Sequence, residues 1–392
     1  MGAICKRLHF ACQGEKRCDN LLKNWGSSAR RGGSSYTAAD MSTSKRSKTK
    51  HPRSRRKERS RPPPSSVTIS EVAAAAGVST ATVSRFFNSP AKLKERTASK
   101  VRQAVDDIGY VPNMMAGGLA SSRSRLVAAV IPAISQSIFS STIQSLTDAL
   151  ADAGYSVILG LTGAGDERVQ RELLSIIGRR PDGIILTGSL LDGAARKQLK
   201  ATGITIIETW DLPSSPIDLV VGVSHEAIGK AVARHALALG RRQAFVISAS
   251  GVRALARRDS FSRAMLASGA PPPIVATFSG TTTYGQGRRA MAAHLESKSP
   301  CDVVVCSSDW SAHGALDELR ARNIRVPQEI AVIGFGDLDF AAELSPALTT
   351  VKIDGGMIGR QAAAFLMLRA RGEKIERPVV DIGFTLIARE SA

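Results

Sequence analysis

A polar segment near residue 80 has side chains suited to reading nucleic-acid bases. Gly77 interrupts an apolar helical stretch and permits a tight turn, after which a second helix can start. In a helix-turn-helix, the first residues of the second helix point at base edges in the major groove, and later residues face phosphates or neighbouring bases. The first group here is Ser79, Thr80, Ala81 and Thr82, and the second is Ser84, Arg85 and Asn88. The segment therefore predicts a DNA-binding head.

Residue sets typical of catalysis, cofactor binding or metal binding are not found in the sequence. It has no Gly-x-Gly-x-x-Gly after a first strand and no Walker loop. The six histidines lack the spacing of metal ligands, and four of them suit structural roles: His225, His235, His294 and His313. We expect no metal, no cofactor and no enzymatic activity. A cytoplasmic sugar-metabolising α/β enzyme stays open as an alternative, because doubly wound sheets often bind cofactors.

Three short helices are predicted to carry the DNA-reading segment. Thr68 and Glu71 form a capping box that starts the first helix, which continues to Ala76. The second is predicted over residues 80–87 and the third over residues 94–108, with Gly109 as its stop. The apolar residues that can share one small core are Val72, Ala76, Val78, Val83, Phe86, Val101, Ala104, Val105 and Ile108.

From residue 126 onward, short apolar runs alternate with amphipathic helical stretches. Predicted strands include residues 126–131, 156–161, 183–186 and 204–207. Val- and Ile-rich strands that alternate with helices predict parallel sheets covered by helices on both faces. The series is too long for one small sheet, so we expect two doubly wound lobes with a ligand between the carboxyl ends of their strands. The expected fold is an all-α helix-turn-helix head followed by a two-lobed α/β body.

The predicted domain boundaries follow these changes of pattern. Residues 1–66 are a disordered basic extension, 67–112 the head, 113–125 a hinge helix and linker, and 126–392 the body. In the body, we assign 126–238 and 353–373 to the first lobe, and 239–352 and 374–390 to the second. Two interpretations of the extension stay open. Its basic tract makes salt-sensitive phosphate contacts, or residues 1–40 reflect a misassigned start and Met41 is the true first residue.

Positive charge is concentrated towards the amino-terminal end. Residues 1–66 hold 17 Lys and Arg against 4 Asp and Glu, whereas residues 126–392 hold 28 against 26. A basic front on a near-neutral body indicates an anionic partner, such as nucleic acid or an acidic membrane surface. No apolar run approaches the ~18 residues of a membrane span. Scattered cysteines and the lack of a signal sequence predict a cytoplasmic protein.

The DNA-reading segment resembles the head of the lactose-repressor (LacI/GalR) family. The family pattern reads roughly T-x-x-[DE]-V-A-x-x-A-G-V-S-x-x-T-V-S-R-x-x-N. Matching residues are Thr68, Val72, Ala73, Ala76, Gly77, Val78, Ser79, Thr82, Val83, Ser84, Arg85 and Asn88. The resemblance adds Thr68 to the predicted DNA-binding residues. It also implies a homodimer that binds a two-fold operator in double-stranded DNA, with each head reading one half-site.

The exit from the head resembles the family's hinge. Residues 109–113 contain the family's Tyr-x-Pro-Asn, which precedes a hinge helix that forms on DNA. The resemblance therefore assigns Tyr110 and Asn113 to the DNA-binding residues. It also places Ala116 and Leu119 in the minor groove, where such residues kink the duplex.

Several head residues differ from the family pattern. Gly117-Gly118 fall inside the hinge helix, and each costs ~1 kcal/mol of helix propensity relative to Ala. Lys94 stands where the third helix usually has a serine cap. Either change would weaken DNA affinity or make the hinge depend more on DNA to fold. Thr80 and Ala81 occupy the positions that select operator bases, and because alanine offers only an apolar contact, direct readout is expected to be modest.

The body resembles the family's two-lobed, periplasmic-binding-protein-like sensor as far as residue 390. The matches occur in family order at residues 130–139, 181–186, 307–315, 332–337 and 348–352. The resemblance implies a pocket for a polyhydroxy small molecule lined by Ser135, Gln136, Phe139, Arg257 and Asp309. Thr187, Glu208 and Ser224 lie just past predicted strands and are further predicted ligand residues, with helix caps or surface positions as the alternative. A one-residue shift would put Arg258 in the place of Arg257.

Details of the body are similar to the gluconate-repressor branch of the family. These are residues 207–211, the run that ends at Gly222, and residues 381–386. The similarity implies a sugar or sugar-acid effector such as gluconate, whose carboxylate would need a cationic partner such as Arg257.

The predicted function is therefore a ligand-responsive repressor of a sugar or sugar-acid catabolic operon. Ligand would close the lobes differently and so change the hinge geometry. Dimerisation is expected to use first-lobe helices near residues 140–153 and part of the second lobe. A periplasmic-type sugar-binding protein is a further alternative, because that class shares the two-lobed body, and a basic nucleic-acid chaperone is another.

Overall fold

The structure, a computed structural model, describes residues 67–112, 123–134, 137–163, 166–187, 193–280 and 282–392. The predicted extension of residues 1–66 lies outside these ranges. Predicted residues that also lie outside them are the hinge residues Asn113, Ala116, Gly117, Gly118 and Leu119 and the ligand residues Ser135 and Gln136.

The head folds as three helices, as the apolar spacing predicts. They are α1 (Ile69–Ala76), α2 (Thr80–Asn88) and α3 (Glu95–Ile108). Gly77 ends α1 in the left-handed conformation with φ 63°, which glycine adopts without the penalty of a Cβ. All the predicted core residues of the head belong to one apolar cluster or pack against it. This core fixes the angle at which α2 is presented.

The third helix starts without a side-chain cap. Lys94 occupies the N-cap position, and its side chain makes no hydrogen bond to the first amides of α3. The first four N–H groups of any helix lack partners within the helix, so a Ser, Thr, Asp or Asn here would stabilise α3. The sequence indicates that Lys94 replaces the serine cap that is usual in the family, and the structure confirms that α3 starts without a side-chain cap.

The body alternates strands and helices along its whole length. Its strands are β1 (Leu126–Ile131), β2 (Ser156–Leu161), β3 (Gly183–Thr187), β4 (Thr205–Thr209), β5 (Leu219–Gly222), β6 (Ala244–Ala249), β7 (Ile274–Phe278), β8 (Val303–Cys306), β9 (Ala331–Ile333), β10 (Thr350–Lys352), β11 (Val379–Asp381) and β12 (Thr385–Ile387). Its helices are α4 (Ser140–Ala151), α5 (Asp166–Gly178), α6 (Gly193–Ala201), α7 (His225–Ala238), α8 (Val252–Ala267), α9 (Tyr284–Glu296), α10 (Asp309–Ala321) and α11 (Gly355–Arg371).

The strands form two parallel sheets, which define the two lobes. The first sheet has the order β11-β5-β4-β3-β1-β2, and the second has the order β7-β6-β8-β9. All pairs within both sheets are parallel. Parallel strands joined by helices expose loops at their carboxyl ends, where ligands bind in this architecture. The two-lobed α/β body is therefore as predicted.

The strands β10 and β12 pair with each other in an antiparallel ladder and belong to neither sheet. They lie on the segments that cross from one lobe to the other. Residues 374–390 are predicted to belong to the second lobe, and this prediction is wrong for β11, which pairs with β5 in the first sheet. Three-residue strands carry too little pattern to reveal their sheet from sequence.

Helix α7, which follows the last consecutive strand of the first sheet, packs closely against α8 of the second lobe. A Cβ on Gly229 would lie 2.2 Å from the carbonyl oxygen of Arg257, so only glycine permits this approach. One apolar cluster includes Val127 of the first sheet and Val246 of the second. Within the described residues, no helix is long and apolar enough to cross a membrane.

Candidate DNA-reading helix and interlobe ligand site

The outward face of α2 carries the residues predicted to meet DNA. Thr80, Ala81, Arg85 and Asn88 are all exposed, and their spacing places them on one side of the helix. Val83, on the other side, is fully buried in the head core. The helix thus offers two small side chains at its amino end and a cation and an amide further along, an arrangement that suits the major groove.

Some of these polar side chains are held by partners within the helix. The Oγ of Ser79 accepts from the backbone N–H of Thr82 at 3.2 Å, and the two hydroxyl oxygens lie 3.0 Å apart. The amide nitrogen of Asn88 donates to the carbonyl oxygen of Ser84 at 3.0 Å. Among the described residues, Thr80 and Arg85 have no such internal side-chain bond, so both are available to a ligand.

Thr68 and Tyr110 hold the head together at its two ends. The backbone N–H and the hydroxyl of Thr68 donate to the Oε2 of Glu71 at 2.6 and 2.8 Å, which holds the pKa of that carboxyl below its usual range. The ring of Tyr110 lies 5.9 Å from that of Phe87, centroid to centroid. Both residues therefore stabilise the head, and a DNA contact by either stays a prediction.

In the body, α8 presents two arginines to the space between the lobes. Arg253 and Arg257 are four residues apart and so lie on the same side of the helix. The guanidinium of Arg257 stacks 3.6 Å above the ring of Phe335, and that of Arg253 lies 5.1 Å from the ring of Phe139. A guanidinium stacked on an aromatic ring directs its N–H groups sideways, where they can meet polar partners or a ligand.

His225, the first residue of α7, links Arg257 to the first lobe. Its Nδ1 lies 3.0 Å from the Nη1 of Arg257, and its Nε2 lies 2.9 Å from the carbonyl oxygen of Trp210. Because guanidinium can only donate, Nδ1 must accept and Nε2 must donate, which is the neutral tautomer. Burial, and then the charges of Arg257 and Arg253, lower the pKa of His225 to about 2. His225 is thus a neutral side chain that connects Arg257 to Trp210, with one hydrogen bond at each ring nitrogen.

The two arginines raise the local positive charge. Burial, followed by the charge of Arg253, lowers the pKa of Arg257 to about 9, and Asp211 acts in the opposite direction. Burial also lowers the pKa of Arg253, again opposed by Asp211. The Nη1 of Arg253 is buried with no hydrogen-bond partner among the described residues. A buried guanidinium nitrogen without an acceptor favours binding of an anion.

The Trp210–Asp211 turn brings a carboxylate to this site from the end of β4. Trp210 has a positive φ of 72°, and its indole Nε1 donates to the hydroxyl of Thr142 at 3.1 Å. Asp211 lies 3.9 Å from His225, measured from Oδ1 to Nε2. A Cβ on Gly222 would lie 1.9 Å from the carbonyl oxygen of Asp211, so this turn requires glycine at 222.

Asp309, a predicted ligand residue, is fully buried and bound within the protein. Its Oδ1 accepts from the hydroxyl of Thr350 at 2.6 Å, and its Oδ2 accepts from the backbone N–H of Leu338 at 2.8 Å. Burial raises the pKa of Asp309 to about 6, although both hydrogen bonds act to lower it. In this conformation the carboxylate joins the second lobe to the crossover strand β10.

Comparison with known proteins matches both parts of the chain. The model for bacterial regulatory proteins of the lacI family matches residues 68–113, and that for a periplasmic binding protein-like domain matches residues 233–392. The HTH-type transcriptional regulator GntR of Pseudomonas aeruginosa is 33% identical over 326 residues, which are 83% of this chain and 95% of that protein. The chain belongs to the LacI family. It is a DNA-binding transcriptional regulator.

Further relatives agree with this assignment. The HTH-type transcriptional regulator GntR of Escherichia coli strain K12 is 27% identical over 319 residues, 81% of this chain and 96% of that protein. The crystal structure of a LacI-family transcriptional regulator from Silicibacter pomeroyi superposes with a TM-score of 0.78 at 29% identity. It covers 83% of this chain and 99% of its own. The head and the two-lobed body thus occur together in solved members of the LacI family.

The remaining predicted ligand residues of this LacI-family regulator have partners of their own. Glu208 is buried, pairs with Arg196 at 2.7 Å and accepts from the backbone N–H of Ile217. The Oγ of Ser224 caps α7 by accepting from Ala227 at 3.1 Å. The hydroxyl oxygen of Thr187 lies 3.3 Å from that of Thr209. The contact of Ser224 agrees with the helix-cap alternative, whereas Glu208 is neither a cap nor a surface residue and is held inside the first lobe by Arg196 and Ile217.

The site also contains residues that sequence reasoning did not select. Arg253 and Asp211 were not among the predicted ligand residues, although the spacing of Arg253 and Arg257 by four was a readable signal. Of the two adjacent arginines, Arg257 faces His225, whereas the Nε of Arg258 bonds its neighbour Asp259 at 2.8 Å. Phe139 is buried against Trp210, with ring centroids 5.1 Å apart. The structure thus brings Phe139 and Arg257 to one site.

Proposed function

We propose that this LacI-family regulator represses a sugar-acid catabolic operon and responds to a sugar acid, with gluconate as the first choice. The likeness to the regulators named GntR supports this choice. So do the residues between the lobes, which include the cations Arg253 and Arg257 and the aromatic rings of Phe139 and Phe335. A polyhydroxy carboxylate needs cationic partners for its acid group and an apolar or aromatic surface for its carbon chain.

The arginine pair is the observation that carries the proposal. Arg253 and Arg257 lie on one side of α8 against the rings of Phe139 and Phe335. Among the described residues, Asp211 is the one group that offsets the pKa-lowering effect of burial on both guanidinium groups. A site built for a neutral sugar would not need two cations, because each costs free energy to bury. The carboxylate of a sugar acid offsets that cost.

Repression would follow from the coupling of the body to the head. In this proposal, a homodimer places two copies of α2 on the half-sites of a two-fold operator, and α4 contributes to the dimer contact. Ligand can change DNA affinity only through a difference in its affinity for the two lobe arrangements. The space between the end of β4 and α8 suits this role, because β4 belongs to the first sheet and α8 follows β6 of the second.

The proposal includes binding of the ligand without chemical conversion. His225, a titratable base in contact with Arg257, uses both ring nitrogens in contacts to Arg257 and Trp210. A general base needs a free lone pair within reach of the substrate. His225 therefore orients Arg257 and is not placed to move a proton.

An electrophoretic mobility shift on the promoter region of the protein's own gene tests the proposal. Gluconate is compared with sorbitol, which has the same carbon chain and hydroxyl pattern but no carboxylate. We expect a sequence-specific shift that gluconate alters and sorbitol does not. A specific shift that ignores every sugar acid would refute the ligand assignment. Binding that is equally strong on unrelated DNA would refute sequence-specific recognition of an operator in this promoter region.

A further inference from the structure

Asp211 reaches the arginine site through an enforced backbone conformation. A positive φ at a bulky residue such as Trp210 is strained and persists only when its surroundings hold it. Three bonds do so here: the N–H of Trp210 donates to Val221, its indole donates to Thr142, and its carbonyl oxygen accepts from His225. The position of the Asp211 carboxylate is therefore a built feature of the site.

The charges around this carboxylate do not balance. Arg253 and Arg257 are cations, His225 is neutral, and Asp211 acts on both arginines. The carboxylate of Asp309 is already bound by Thr350 and Leu338. The described part of the cluster thus holds two positive charges against one negative charge, and the Nη1 of Arg253 still lacks an acceptor.

The two sides of this charge cluster come from different lobes. Asp211 follows β4 of the first sheet, whereas both arginines lie on α8, which follows β6 of the second sheet. Their attraction therefore favours one arrangement of the lobes over others. An anion that binds the arginines would weaken that attraction, because two anions compete for the same guanidinium edges.

From this juxtaposition we propose that Asp211 is a resident counter-ion, whose carboxylate competes with the anionic group of the effector for Arg253 and Arg257. The inference rests on the proposed function and adds a basis for specificity. A neutral sugar cannot displace a carboxylate from two guanidinium groups, whereas a carboxylate, sulfate or phosphate group can. When the effector anion replaces the Asp211 carboxylate at the arginines, the attraction between the two lobes becomes weaker. The resulting change in lobe arrangement then alters the DNA affinity of the head.

The variant Asp211→Asn tests the competition, with Asp218→Asn as a matched control. Asp218 pairs with Arg369 at 2.6 Å and precedes β5, so it lies at the amino ends of the parallel strands, whereas Asp211 follows the carboxyl end of β4. The probes are sodium sulfate and sodium gluconate, each against sodium chloride of equal ionic strength, and calorimetry and Trp fluorescence report binding. We expect Asp211→Asn to bind both probes roughly tenfold more tightly than wild type, because a nearby negative charge is removed. Asp218→Asn should match wild type.

Asp211→Glu and a double variant complete the test. Asp211→Glu keeps the charge and should bind sulfate within about threefold of wild type. If Asp211→Asn does not fold, Asp211→Asn with Arg253→Gln should restore folding, because it removes one charge of each sign. Failure of this rescue, or unchanged sulfate affinity in a folded Asp211→Asn, would overturn the inference.

The outcome also separates this inference from the proposed function. Tighter sulfate binding by Asp211→Asn, with no response of the DNA complex to any sugar acid, would support the resident counter-ion and refute the effector class. Release of operator by gluconate in wild type, with no gain in anion affinity in Asp211→Asn, would support the effector and refute the resident counter-ion.

Discussion

At the scale of single residues, the site is defined by which polar groups have partners inside the protein. Thr80 and Arg85 on α2 have none among the described residues, whereas Asn88 is tied to Ser84. In the body, Asp309 has two internal donors, whereas the Nη1 of Arg253 has no hydrogen-bond partner within the part of the chain that the structure describes. Groups without internal partners are the ones that a ligand can satisfy at the least cost. We therefore expect substitutions of Arg85 and Arg253 to affect ligand binding most directly.

Arg85→Ala is expected to weaken DNA binding almost equally for operator and unrelated sequences. Its exposed guanidinium lies on the DNA-reading face, where a phosphate contact would release about one counter-ion. Fluorescence anisotropy with labelled DNA at several salt concentrations should show the slope of log affinity against log salt reduced by about 1. Arg263→Ala, an exposed arginine of α8, is the control. An unchanged slope would place Arg85 away from the phosphates.

Asp309→Asn is expected to change how stability depends on pH. Because the pKa of Asp309 is raised to about 6, the folded state binds a proton more tightly than the unfolded chain. The stability that Asp309 contributes is therefore present at pH 4 and lost as the pH rises through 6. The free energy of unfolding of wild type relative to Asp309→Asn should fall by about 2–3 kcal/mol over this range. Denaturant titrations at pH 4 and pH 7 that show a constant difference would contradict this.

At the scale of secondary-structure elements, helix ends and tight turns set the geometry of both sites. Ser79 caps α2 and so fixes its first turn, while Lys94 leaves α3 uncapped. The Trp210–Asp211 turn passes so close to Gly222 that a side chain there would enter its backbone. Local backbone chemistry thus decides where Thr80 and Asp211 point.

Lys94→Ser should stabilise the head, because serine at the N-cap can accept from the first amides of α3. We expect a gain of about 0.5–1 kcal/mol, measured by hydrogen exchange of the α3 amides in the full chain. Lys92→Ser, which changes the same residue type two positions earlier, should have little effect. Equal changes in both variants would show that loss of charge, not capping, is responsible.

Gly222→Ala should displace the Trp210–Asp211 turn and weaken gluconate binding. Its Cβ would lie 1.9 Å from the carbonyl oxygen of Asp211, and backbone contacts of this kind cannot be relieved by a side-chain rotation. A loss of stability of about 1–3 kcal/mol is expected from overpacking. Gly178→Ala is the control, because a Cβ there meets nothing within 4 Å. Thermal unfolding and calorimetry that show the two variants alike would contradict the role of this turn.

Elements with a long apolar pattern could be predicted from the sequence, and those without one could not. β1 and β2 occur at their predicted residues, and α2 is one residue longer than expected. The three-residue strands β10, β11 and β12 were not predicted, because their pairing depends on distant chain segments. The left-handed conformation of Trp210 has no sequence signal either, since such a conformation usually requires glycine.

At the scale of the whole molecule, the family resemblance identified the head and the body, but not the charge balance between the lobes. Arg257 could be selected from its family position alone. Its relation to Arg253 and Asp211 requires α8 and the end of β4 to be brought together, although they are about forty residues apart in sequence. Contacts between lobes depend on the assembled fold, so single-sequence patterns do not reveal them.

In the proposed mechanism, the arginine pair couples an anionic effector to DNA binding. This coupling can be measured by titrating gluconate into a complex of full-length protein and labelled promoter DNA, for wild type, Arg257→Gln and Arg263→Gln. We predict that all three bind the DNA equally, and that gluconate changes the anisotropy of wild type and Arg263→Gln only. An unaltered gluconate response in Arg257→Gln would show that the arginine pair does not transmit effector binding to the DNA.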